Sequence, residues 1–221
     1  MKRNVYKANV VEQLQDALGS CLYSYCEKTI RAYISTIGHE VWRLYQQDDL
    51  RLRPIFDNYH PKYIGRTWDE IRESKLTFAD VLDAVAYYFS YKGYEEVPDA
   101  DLDNGFEQAV DILLGGDLDE LSTLLSEAPD FLTQRSQYGH DAMLWHYLGS
   151  NGIELHRQVV PYNLYKIIGW FIDRGVDSSA TFKIYGGEYT MQDMLATSAH
   201  PKAIGIVEKC LATISNKPNE I

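Results

Sequence analysis

At 221 residues the chain can hold one large domain or two small ones, and its 45% hydrophobic content supplies a real core, which excludes a disordered chain. A net charge of −11 disfavours a phosphate backbone as partner, and three cysteines are too few and too odd for a disulfide framework. No stretch approaches the roughly 20 apolar residues of a membrane span, and the charged start at Met1-Lys2-Arg3 has no apolar run after it. A cytoplasmic protein is therefore expected, without a signal peptide, membrane association or nucleic-acid partner.

The charge is uneven. Residues 1–100 carry 13 Lys/Arg and 15 Asp/Glu, whereas residues 101–221 carry 8 and 17. Between Gly93 and Gln134 there is no Lys or Arg, against 12 acids from Glu95 to Asp130. Such a surface attracts a basic protein and speeds its association. Simple solubility accounts for the same acidity.

Val10, Val11, Leu14, Ala17, Leu18, Cys21, Leu22 and Tyr25 recur near the helical period. A second run follows with Ile30, Tyr33, Ile34, Ile37, Val41, Leu44 and Tyr45, with Gly38 inside it. Pro54 and Pro61 break up residues 51–76. Thr67 with Glu70, and Thr77 with Asp80, have the spacing of capping boxes at two helix starts. Gly93 is placed to close the second of these helices, and an acidic loop follows.

From Asn104, two short amphipathic helices are separated by Gly115-Gly116, with Asp117 at the second N-cap. A further helix, Leu164 to Arg174, sets Leu164, Ile167, Ile168, Phe171 and Ile172 on one stripe, with Asn163 at its start. The last predicted helix runs from Ala203 to Ile214.

Two segments repeat one pattern. The first holds Gly139, Leu144-Trp145-His146 and Asn151-Gly152, and leads to Gly175-Val176-Asp177. The second holds Gly186, Thr190-Met191-Gln192-Asp193, Ala196 and His200-Pro201. In this order the residues resemble the threonine-proline-leucine-histidine core and the glycine-alanine-aspartate turn of the ankyrin repeat. Residues from about 104 to 215 thus resemble a divergent bacterial ankyrin-repeat protein. The resemblance leaves out residues 1–100, which are expected to form a separate helical segment or cap.

What the resemblance implies is an all-α fold: a short ankyrin-like solenoid of two to three repeats behind an N-terminal helical segment. It implies a structural role for His146, bonding backbone between neighbouring repeats. It also implies a protein-binding module whose finger tips grip a partner, with Tyr138, His140, Arg157, Gln158, Tyr185, Glu188 and Tyr189 as contacts. Residues 153–162 interrupt the pattern as a long insertion, either a binding loop or a packing loop. An inhibitor or immunity protein for a basic partner is the sharper form of this reading.

No catalytic residue, cofactor or metal is expected. Cys21 and Cys26 lack zinc-site companions, and no nucleophile elbow, phosphate loop or dinucleotide fingerprint is present. The acids at 95–130 do not follow the order of a calcium loop. Two other readings stay open: an enzyme using His39, Glu40 or His60, and a structural subunit of a larger assembly. The 17 tyrosines supply interface anchors or half-buried helix residues.

Overall fold

The computed structural model describes residues 4–25 and 29–215; the charged start at Met1–Arg3 and Cys26 lie outside the described residues. The chain forms two compact units. One, the helical unit, is Asn9–Asn104 with Gln137–Gly139; the other, the hairpin unit, is Met1–Ala8, Gly105–Ser136 and His140–Ile221. The division runs close to residue 100 but is not a single cut, because two short segments cross over.

The helical unit contains α1 (Asn9–Leu22), α2 (Ile30–Gln46), α3 (Arg53–Asp57), α4 (Trp68–Glu73) and α5 (Phe78–Tyr88). The apolar stripes of α1 and α2 are buried as their periodicity requires: Val11, Leu14, Leu18, Ile30, Ile34, Ile37 and Val41 are all enclosed. Both capping boxes form, with the Thr67 hydroxyl accepting from Glu70 N and the Thr77 hydroxyl from Asp80 N. Residues α2 and α5 share is a tight seam at Gly38, where an added methyl would sit 2.6 Å from Leu82 Cδ2. The helix therefore trades a little propensity there for close approach. Helix α5 stops earlier than the sequence suggests. Ser90, not Gly93, takes the left-handed conformation after it, at φ 65°.

The hairpin unit contains α6 (Asn104–Gly115), α7 (Leu118–Glu127), α8 (Leu144–Tyr147), α9 (Leu164–Ile172), α10 (Met191–Thr197), α11 (Ala199–Ala203) and α12 (Val207–Ser215). It also holds four short strands: β1 (Val5–Tyr6), β2 (Val160–Pro161), β3 (Thr181–Ile184) and β4 (Gly187–Thr190). They pair as two antiparallel ribbons, β1 with β2 and β3 with β4. The fold is thus mostly helical but not purely α.

Asp117 caps α7 through Glu120 N at 3.0 Å. Asn163 does not cap α9; its Nδ2 donates to Gly116 O at 2.9 Å. The final predicted helix is divided, because the chain turns at Ile204-Gly205 between α11 and α12. Helix α9 packs mainly on α12, and its stripe of Leu164, Ile167, Ile168 and Phe171 is buried.

Candidate functional site: an anchored hairpin beside a buried ionic cluster

The β3–β4 hairpin is held by groups that the local sequence supplies. Helix α8 is a single turn, and His146 on it serves as a bracket. Its Nδ1 accepts from Met143 N at 2.9 Å, and its Nε2 lies 2.9 Å from Ala180 O, at the base of the hairpin. A nitrogen that accepts from an amide carries no proton, so the proton is on Nε2, which donates to the carbonyl. Burial keeps the ring neutral and lowers its pKa to about 4. Phe182 of β3 stacks on this ring, with centroids 4.8 Å apart. Lys183 N donates to His140 O at 2.9 Å, which fixes the outer edge of β3.

The two turn residues, Tyr185 and Gly186, have φ of 54° and 76°. Positive φ at both positions is what a two-residue hairpin needs to match the strand twist. Glycine takes it freely, but a bulky residue there is an outlier that costs about 1–3 kcal/mol. Tyr185 is nevertheless 65% exposed. Its hydroxyl donates to Asn151 Oδ1 at 2.9 Å, so the ring is oriented rather than loose. Glu188 is exposed and Tyr189 half-buried beside it. Tyr185, Glu188 and Tyr189 therefore lie together on the hairpin.

The other four expected contacts are not on the surface. Tyr138 is buried in the helical unit, with its ring 4.7 Å from Phe89. His140, Arg157 and Gln158 are buried in the hairpin unit. The insertion at 153–162 is a packing loop. Ile153, Leu155, Val159 and Val160 turn inward, and its last residues form β2 against β1, with Val5 opposite Pro161 and Tyr6 opposite Val160.

That loop carries Arg157 into an ionic cluster. Arg157 Nη1 meets Glu107 Oε2 at 2.5 Å, Nη2 meets Glu107 O at 3.3 Å, and Nε meets Asp111 Oδ1 at 3.3 Å. The guanidinium also lies 5.7 Å from the Tyr147 ring centre. Beside it, His140 Nδ1 accepts from Ala142 N at 3.1 Å, which leaves Nε2 facing Glu154 Oε1 at 2.9 Å. Gln158 Nε2 donates to Ile153 O at 2.9 Å.

Burial pushes the Glu107 carboxyl up to about 7 against the pull of Arg157. Glu154 meets the same burial, but His140, Arg157 and His156 together outweigh it and hold the group at about 2. Burial lowers His156 to about 3. Glu107 was not among the expected residues, yet the sequence carried a signal for it. It stands three residues before Val110 and seven before Leu114, on the apolar stripe of α6. A carboxylate there must find a cation inside.

Asp111 is the cluster's outlet. It lines a depression of about 550 Å³ together with Asn4, Gly116, Asp117, Asp119, Glu120, Asn163 and Lys166. In the helical unit, His39 stacks on Phe78, Glu40 pairs with Arg43, and His60 packs on Tyr63 and Tyr87. Each is thus engaged by its own neighbours. Among the described residues, no group of three or more His, Cys, Asp or Glu is arranged to hold a metal ion. No described helix is long and apolar enough to cross a membrane. The chain matches no family model, no curated protein and no solved structure.

Proposed function

We propose that this chain is a non-catalytic protein-binding module, built on ankyrin-like repeats in residues 104–215, that recognises a basic partner protein through its β3–β4 hairpin. The observation that carries this reading is Tyr185. A large aromatic held at positive φ, oriented by a hydroxyl bond and still 65% exposed is placed against its own backbone preference. Rigid exposed tyrosines make efficient interface anchors because little side-chain entropy is left to lose. His146 supports the repeat reading, since it ties a helix start to the next hairpin through two backbone bonds. The basic character of the partner follows from the acids of residues 95–130 and from Glu188 at the hairpin. Masking of a basic toxin or nuclease by an inhibitor or immunity protein is the specific form of this proposal.

The test is capture from native lysate by the tagged chain at low and high salt, with Tyr185→Ala in parallel and identification by mass spectrometry. One abundant basic protein should be retained at low salt, released at high salt, and lost from Tyr185→Ala without a change in melting temperature. Equal capture by Tyr185→Ala, or no capture at either salt, overturns the proposal.

A further inference from the structure

The β3–β4 hairpin has one covered edge and one open edge. On β3, Lys183 N donates to His140 O at 2.9 Å, and Thr181 O accepts from Arg135 Nη1 at 3.0 Å. The backbone groups of Thr181 and Lys183 therefore point away from β4. Their cross-strand partners are Thr190 and Glu188. In an antiparallel pair the two residues of such a pair both turn their N–H and C=O outward. The outward N–H of Thr190 is taken by Asp193 Oδ2 at 2.9 Å. Among the described residues nothing bonds the outward N–H or C=O of Glu188. An exposed strand edge with such a free donor–acceptor pair is a template for another strand.

We infer that β4 accepts an extended segment of the basic partner as a third antiparallel strand, hydrogen-bonded to Glu188, with a Lys or Arg of that segment directly opposite the Glu188 carboxylate. This deepens the binding-module reading and rests on it.

The charge pattern selects the occupant. Thr181, Lys183, Glu188 and Thr190 share one face, as the Thr181 hydroxyl donating to Glu188 Oε2 at 3.1 Å confirms. Lys183 is opposite Glu188 on one side, so a cation on the other side completes an alternating row. A second copy of this chain, pairing through its own Glu188, would set two carboxylates face to face, which is unfavourable. On the opposite face, the residues flanking that cation would lie against Tyr189, so apolar neighbours suit them. The occupant is thus a β-forming segment with a basic residue between apolar ones.

The experiment uses the purified chain and two synthetic peptides of about eight residues, alternating threonine and valine, with lysine or glutamate at the centre. Amide exchange by NMR and binding by fluorescence anisotropy are read. The lysine peptide should slow exchange of the Glu188 amide and bind about fivefold more tightly than the glutamate peptide, as expected for cross-strand charge pairs. Glu188→Lys should reverse that preference. Glu188→Pro removes an N–H that the hairpin does not use, so it should abolish peptide binding with the circular dichroism spectrum unchanged. An unprotected Glu188 amide with the lysine peptide, or an unaltered preference in Glu188→Lys, overturns the inference. Either result would leave Tyr185-dependent capture from lysate intact, whereas a wrong binding-module reading shows as capture indifferent to Tyr185.

Discussion

Replacing Arg157 by Met tests the ionic cluster directly. Methionine keeps much of the side-chain volume, so the change removes charge more than packing. It leaves Glu107 and Glu154 enclosed, with the guanidinium that touches Glu107 gone. Breaking a buried pair in this way costs about 3–5 kcal/mol. With a urea slope of about 2 kcal/mol per molar, the unfolding midpoint should fall by about 1.5–2.5 M. Trp145 and Trp170 lie in the same unit and report the transition by fluorescence, once Trp42 and Trp68 of the helical unit are replaced by Phe.

The cost should also depend on pH, and the sign is fixed by Glu107. Its pKa in the fold is raised from 4.5 to about 7, so its contribution is fully present below 4.5 and is lost as pH rises through 7. A protonated Glu107 needs no cation. The gap between wild type and Arg157→Met should therefore be smaller at pH 5, where Glu154 stays ionised but Glu107 is protonated, than at pH 8, where both are ionised. Adding Glu107→Leu to Arg157→Met should recover much of the loss, because an apolar pair replaces an ionic one. A loss below about 1 kcal/mol at pH 8, or a gap that ignores pH, would refute the cluster's role.

Gly139→Ala would place a methyl 2.1 Å from Ser90 O, a backbone atom that cannot swing aside. The helical unit should lose about 2 kcal/mol, and an unchanged melting temperature would show that the segment at Gln137–Gly139 is not seated as described. His146→Gln should cost about 2 kcal/mol at pH 7, roughly 1 kcal/mol for each bond it breaks. The pKa of His146 is lowered from 6.5 to about 4, so its contribution is full above 6.5 and is lost as pH falls through 4. Urea midpoints of the two proteins should converge between pH 7 and pH 4; a constant difference would mean that the bracket is not the neutral ring.

Features that depend on a few consecutive residues were legible in the sequence. The capping boxes at Thr67 and Thr77 and the cap at Asp117 form because donor and acceptor lie three residues apart, where nothing distant can intervene. The stripe of α9 was legible because its period is local. Features that depend on a distant partner were not. Arg157 and Gln158 look like surface residues because long polar side chains usually are, and it is Glu107 and Asp111, fifty and forty-six residues upstream, that make burial of the guanidinium tolerable. Val5 and Tyr6 gave no sign of β structure, because a two-residue strand has no periodicity and takes its conformation from Val160 and Pro161. The two kinds of feature divide the labour in the hairpin unit. The distant pairs seat the insertion and its strand inside the fold. His146 then holds the β3–β4 hairpin by its base, and the Tyr185 ring and the backbone edge at Glu188 stay exposed. A tyrosine held exposed at unfavourable φ is a local cost that the rest of the hairpin unit must offset, which is why the proposed binding surface is placed there.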